Sequence, residues 1–380
     1  TLFILMRLGW MATLIYAPTI AIMAAANLDP AWLWPVVLTI GFSSTLYTAI
    51  GGIRGVIVTD AIQFLIIIGG VLGVILYTLI RLPTPWPEAV NILQETGRLR
   101  LWDLSLSLEQ PLTLWALIIG YTVHNLGSYM GDQLSLQRYI TAGNLRSAGQ
   151  SFATNAVSSI LVLLLLAGVG LALAAWYGAA GGVHLPSNVD QIFPYFVAHQ
   201  LPVGVAGLLL AALLAATMSS MTSGINALAG AITLDWRPQN SRRSPAQELR
   251  LGRWLSLLIG VAATFAGGLV GKLGTLFEIV QILGAFAGPL GVCVLFSTFR
   301  VRVPASAMSL AMLAGCTAGG LTAMAPYLHA HWPWFPNVYA LWVTPLAFLV
   351  TVAIAFAGRW INPAWRDVPQ PSQALEDAGS

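Results

Sequence analysis

Residues 202–235 read PVGVAGLLLAALLAATMSSMTSGINALAGAITLD, and the first charged side chain of the stretch is Asp235. A bilayer core is crossed by about 20 mainly apolar helical residues, so this run is longer than one straight crossing and is expected to continue into the cytoplasm. Nine further apolar stretches surround it, at roughly 5–26, 31–50, 57–80, 111–130, 152–177, 250–271, 273–299, 304–325 and 338–358. The whole chain of 380 residues is 57% hydrophobic and 8% charged, with mean hydropathy +0.78. Soluble domains carry roughly 25% charged residues. With 17 basic and 14 acidic side chains, this chain cannot cover a water-soluble surface. The composition excludes a soluble enzyme, a disordered chain and a nucleic-acid binder, and points to a polytopic α-helical membrane protein of about ten spans.

Lysine and arginine set the orientation. With the first residue inside and the spans alternating, thirteen of the 17 basic residues fall on the cytoplasmic side. Arg81, Arg98, Arg100 and Lys272 are left outside. Two outer loops are long. Residues 81–110 hold Pro83, Pro85 and Pro87 and a helix-like piece at 88–97; residues 178–200 end in a surface helix over Val189–Val197. The inner loop 236–247 is basic, and the tail after Asn362 is polar and Pro-rich. Cys293 and Cys316 lie in apolar stretches and read as small core residues, not as a disulfide or metal site. The chain starts with Thr1 and an immediate apolar run, without the basic n-region and cleavage site of a signal peptide; it is expected to be a fragment lacking its N-terminal part.

Polar residues at membrane depth are the informative ones, because each costs a few kcal/mol on insertion scales. In the opening stretch, Ser219, Thr222, Ser223 and Asn226 stand at i, i+3, i+4 and i+7, on one helical face, with Ser220 beside it. Hydroxyl and carbonyl oxygens without a carboxylate suit a weakly held monovalent cation. The same small residues also suit close helix packing, and spacing leaves both readings open. Asp60 and Gln63 enter the third span one turn apart, after the glycine turn Gly51-Gly52-Ile53-Arg54-Gly55; Asp60 is expected in the first helical turn, where the dipole favours an acid. The fourth span, from Gly120 to Gln133, interrupts its apolar run with glycines, His124, Asn125, Ser128 and Tyr129. Such interruptions free backbone groups for a ligand in secondary transporters. His124 also reads as an ordinary core histidine. In the eighth span Glu278 and Gln281 lie one turn apart, positioned either to line a polar cavity or to contact interfacial water. No metal-ligand spacing and no Ser/His/Asp arrangement for an enzyme stands out.

Taken together these motifs resemble the sodium/solute symporter family. The run Tyr47-Thr48-Ala49-Ile50-Gly51-Gly52-Ile53-Arg54-Gly55-Val56, with Thr59-Asp60 and Gln63, is similar to that family's signature. Tyr16-Ala17-Pro18 and Ser223-Gly224-Ile225-Asn226-Ala227-Leu228-Ala229 resemble its monocarboxylate, iodide and vitamin branch. Asp190-Gln191-Ile192-Phe193-Pro194 is similar to an outer helix of that branch, and Gln133 with Gln137-Arg138-Tyr139 to the segment after a broken helix. The resemblance implies the leucine-transporter type of five-plus-five inverted repeat, lacking its first core helices. Residues 1–80 would be core helices three to five, 81–110 an extracellular loop, and 111–300 the second repeat, core helices six to ten. Residues 301–360 would add two helices, and 361–380 a cytoplasmic tail.

The resemblance also implies roles. Ala216, Ser219, Ser220 and Ser223 would bind sodium, the coupling ion and the one metal expected, with no other cofactor. Asp60, Thr222 and Asn226 would lie on the ion path. Asn125, Tyr129, Phe277 and Gln281 would contact the solute. Ser128 stands where the sugar-transporting branch has an aromatic gate, and Asp132 where the family usually has Asn, so the motifs point to different branches. The implied activity is sodium-driven import of a small organic solute, a monocarboxylate- or vitamin-like anion or a sugar, across the cell (inner) membrane, with both ends of the chain cytoplasmic. The alternatives are proton coupling through Asp60, Glu278 or His124, and a transporter-like membrane sensor.

Overall fold

The structure is a computed structural model that describes residues 1–50, 56–100, 102–131, 144–179, 186, 188–235 and 244–361. Among them every regular element is helical. The helices are α1 Leu2–Ala25, α2 Leu33–Ile50, α3 Val56–Arg81, α4 Trp86–Glu95, α5 Thr122–Gly131, α6 Leu145–Ala179, α7 Ile192–Gln200, α8 Val203–Asp235, α9 Pro245–Val270, α10 Leu276–Ile282, α11 Gly284–Thr298, α12 Ala305–Ala323, α13 Ala325–His331 and α14 Val343–Ile361. Eight stretches of the described residues are helical, long and apolar enough to cross a bilayer. The other two stretches expected to span, 31–50 and 111–130, contain α2 and α5, each preceded by a short 3-10 or π segment.

Two local expectations change. The fourth span is not broken at its glycines. Its irregularity is a six-residue π-helical segment, Ala116–Tyr121, from which the chain runs on into α5. Gly120 faces the carbonyl of Leu341 there, where a Cβ would collide. The eighth span, expected as one helix, divides at Leu283 into α10 and α11. Asp60 is the fifth residue of α3, just beyond the first turn; its side chain, that of Ser128, and residues 51–55 and 132–143 lie outside the described set.

The chain forms two compact units, and the division falls between Ile279 and Val280, inside α10. The first unit holds most of α1, α2–α4 and α6–α9. Its α9 begins at a capping box, in which Ser244 and Gln247 each accept the other's backbone N–H and Pro245 fills the first helical position. Helix α2 packs on α9 through a reciprocal device. Thr45 donates its hydroxyl to the Gly41 carbonyl at 2.8 Å, and Thr264 donates to the Gly260 carbonyl at 2.7 Å. The Thr264 side chain occupies the notch over Gly41, and the Thr45 side chain occupies the notch over Gly260. Each helix thus supplies one notch and one plug, four residues apart. A separate aromatic cluster surrounds Phe196 of α7, which is fully buried, with Tyr77, Trp176 and Tyr177 at centroid separations of 5.4–6.3 Å.

The second unit centres on α11, which packs on α5, α12 and α14. A Cβ at Gly127 would stand 2.8 Å from the Ala287 carbonyl oxygen, and one at Gly291 2.9 Å from the Gly127 Cα. Gly319 meets Ala285 in the same way. Lipid offers apolar side chains the same solvent as the interior, so close backbone packing takes over the role the hydrophobic effect plays in water.

Gly260→Ala puts a methyl into Thr45. It should lower the thermal midpoint of the detergent-solubilised chain by a few degrees, in line with an overpacking cost of about 1–3 kcal/mol. Adding Thr45→Ala should recover most of the loss. A double variant no more stable than the single one would show that the notch and plug do not couple.

Candidate functional site

Helix α8 carries the proposed ion ligands. Met221, Ile225 and Leu228 are fully buried and form its packing stripe. The hydroxyl face runs beside that stripe: Ser219 and Thr222 are buried, Ala216, Ser220 and Ser223 are half-buried, and Asn226 is exposed. The face therefore grades from interior to surface along the helix. Gly224 packs under Met11 of α1, and the Arg7 guanidinium approaches at the same point.

Thr222 has a second employment. Its hydroxyl oxygen lies 2.8 Å from that of Thr48 on α2, 2.9 Å from the Met218 carbonyl it can donate to, while Thr48 reaches the Ser44 carbonyl at 2.8 Å. Two hydroxyl protons serve three short contacts, because each hydroxyl donates once. Thr222 therefore ties α8 to α2, as the packing reading of this face anticipated. Sequence inspection missed Thr48, although it stands inside the quoted signature run; a hydroxyl at helix depth was the available signal.

The expected solute residues lie as two pairs, each one turn apart on its own helix. On α5, Asn125 is half-buried and donates its side-chain N–H to the Tyr121 carbonyl at 2.8 Å, at the end of the π segment. Tyr129 is exposed. On α10, Phe277 is exposed and Gln281 is 2% exposed. The Gln281 Oε1 is buried and finds no hydrogen-bond donor among the described residues. An amide oxygen left so in an apolar setting costs about 1–3 kcal/mol, and a ligand hydroxyl or N–H would satisfy it. His124 is matched differently: its Nδ1 lies 3.0 Å from the hydroxyl of Thr344 on α14. That is the satisfied core histidine of the two readings.

A crevice of about 390 Å³ opens between α1, α2 and α8, bounded by Ile22, Trp32, Val36, Ile40, Leu214 and Met218. Thr39 on its wall donates back to the Pro35 carbonyl at 2.8 Å. The crevice is apolar and offers little to a polar solute. The start of α10 is fixed by acids. Glu278 accepts the Thr275 N–H at 2.9 Å and its hydroxyl at 3.0 Å, and Asp190 accepts the Leu276 N–H at 2.8 Å. Burial pushes the Asp190 carboxyl above its ordinary value; the Leu276 N–H draws it down and Glu278 adds to the rise.

The chain is 30% identical over 326 residues to the sodium/sialic acid symporter NanT of Aliivibrio fischeri, covering 82% of this chain and 62% of that protein. It is 30% identical to sodium-coupled monocarboxylate transporter 1 of Mus musculus, over 84% of this chain and 52% of the relative, and 28% identical to the human sodium/iodide cotransporter, over 73% and 43%. The chain thus spans about two-fifths to three-fifths of the length of these relatives. In fold it matches a solved Na+-coupled sialic acid symporter in its substrate-bound outward-open state, with TM-score 0.76 and 22% identity over 95% of this chain and 73% of that one. That is the leucine-transporter type of helical fold expected from the motifs. A sequence model of the sodium:solute symporter family matches residues 5–315, and the chain belongs to that family.

Proposed function

We propose that this chain acts in a sodium-coupled secondary active symporter that imports a small organic solute by alternating access. The observation that carries the reading is the hydroxyl face of α8, with Ser219 buried and Ser220 and Ser223 half-buried on a helix that has no acid before Asp235. Oxygen ligands of this kind, with the Ala216 carbonyl, suit a monovalent cation that must also leave. Coupling requires that sodium favour one of two conformations, since a ligand shifts an equilibrium only by its differential affinity. Asp60 and Asn226 would serve the inward ion path, and Thr222 would relate that path to α2 through Thr48. No covalent step is involved. The basic-residue distribution supports both ends of this chain being cytoplasmic.

On the solute side, Gln281 presents the buried acceptor, Phe277 an apolar surface one turn away, and Asn125 and Tyr129 further polar groups on α5. The named relatives act on sialic acid, monocarboxylates and iodide, which are all anions, and this supports a small organic anion over a neutral sugar. Proton coupling has less support, because two of its carriers, His124 and Glu278, are engaged with Thr344 and Thr275.

Three outcomes are expected for the complete protein in proteoliposomes. Replacing Ser219 and Ser220 together by Ala should raise the sodium concentration for half-maximal uptake about tenfold or more, the effect of removing two oxygen ligands; unchanged sodium activation would reject the ion site. Asp60→Asn should slow turnover and alter preference among sodium, lithium and protons with little change in solute KM, and a wild-type rate and preference would reduce Asp60 to a helix-start acid. Gln281→Leu removes the orphaned oxygen, so the solute-free protein should be as stable as wild type or more so, by up to about 1 kcal/mol, while uptake of lactate and of sialic acid falls. Loss of stability together with unchanged uptake would remove Gln281 from the solute site.

A further inference from the structure

The sequence Asp190-Gln191-Ile192-Phe193-Pro194 lies outside the residues assigned above to the ion and the solute, and its geometry is specific. Asn188 caps the short turn Val189–Gln191 by accepting the Asp190 N–H at 2.9 Å. The turn leads into α7, whose Phe196 and Val197 are buried among the aromatic rings of α3 and α6. Asp190 is thus mounted on a fixed support. Its carboxylate reaches 86 residues along the chain to accept the N–H of Leu276, the first residue of α10.

Helix α10 itself is short and bounded by irregular backbone. It has seven residues. Before it stands Gly274 with φ +127°, a conformation other residues rarely adopt, and the Glu278 carboxylate fills the space a side chain would need there. After it comes the break at Leu283, followed by Gly284, which packs against Thr344 with no room for a side chain. Leu283 keeps right-handed helical backbone, so α10 runs on into α11, and the Asp190 contact bears on the first turn of α10. Of the backbone donors at its start, Leu276 N–H is the one served by another element.

We propose that Asp190 is a positioning residue for solute binding: its carboxylate latches the start of α10 to the α7 support and so sets where Phe277 stands. The positioning role rests on the solute-site reading above; the latch does not. The groups acting electrostatically on Asp190 are Glu278 of α10 and Tyr16 of α1, and Lys272 of the intervening turn is exposed.

Hydrogen–deuterium exchange over Thr275–Ile282 in the full chain reads the latch directly, without solute. Asp190→Ala should lower protection about tenfold, the loss of one charge-assisted hydrogen bond. Asp190→Asn keeps an acceptor oxygen and should restore protection to within about threefold of wild type. Equal protection in wild type and Asp190→Ala, or Asp190→Asn behaving as Asp190→Ala, overturns the latch. For uptake of lactate and sialic acid, Asp190→Ala should raise KM about threefold to tenfold with Vmax much less affected. Reduced protection with unchanged KM overturns the positioning role. Absence of sodium-driven uptake by wild type would sink the symport reading and leave the exchange result standing.

Discussion

The structure depends on how closely two helix backbones can approach in a medium that gives them no hydrophobic reason to do so. Within lipid, every backbone polar group must be satisfied inside the protein, and apolar side chains gain little by leaving lipid for one another. The pairing of α2 and α9 meets both constraints with four residues. Gly41 and Gly260 let the helices approach. Thr45 and Thr264 fill the resulting notches and return their hydroxyl protons to the carbonyls of the glycines one turn earlier. Removing a glycine introduces overlap; removing a threonine leaves a gap. Helix α8, with its hydroxyl face, packs on both α2 and α9, so its placement inherits the accuracy of this joint. The second unit uses the same principle with backbone meeting backbone, at Gly127, Ala287 and Gly291.

The fold was largely legible because membrane spans announce themselves by length and apolarity, and that signal needs no knowledge of tertiary contacts. Span limits for 57–80 and 202–235 agree closely with α3 and α8. Local backbone geometry was less legible. Glycines in the fourth span suggested a broken helix, but glycine in a membrane helix more often marks close packing. Gly120 and Gly127 are used that way, while the irregular backbone is a π segment over residues that are apolar apart from Gly120 and Tyr121. The division at Leu283 was hidden for a related reason: Leu283 is an ordinary helix former, and the break follows from what surrounds Gly284, not from the residue at the break.

Site residues divide by the same logic. Spacing alone placed Ser219, Thr222, Ser223 and Asn226 on one face, and that much needed only the helical period. Whether a hydroxyl on that face binds an ion or another helix is decided by its partner across the interface, and the partner of Thr222 is 174 residues away. Asp190 was singled out by resemblance to a motif, but its role as a cap on α10 could not be read, because the donor it serves is a backbone N–H and carries no sequence signature.

Polar groups within the helices therefore fall into two sorts. Thr45, Thr264, Asn125 and His124 have partners inside the fold and help to define it. The Gln281 oxygen has none among the described residues and is buried nonetheless. The hydroxyls of Thr84 and Tyr177 share that condition, and at the Gln281 position a leucine of similar size would pack without the penalty. The oxygens of Gln281 and Thr222 are opposite cases: that of Gln281 is desolvated without a donor among the described residues, whereas that of Thr222 is divided between Thr48 and the Met218 carbonyl and so serves the joint between α8 and α2.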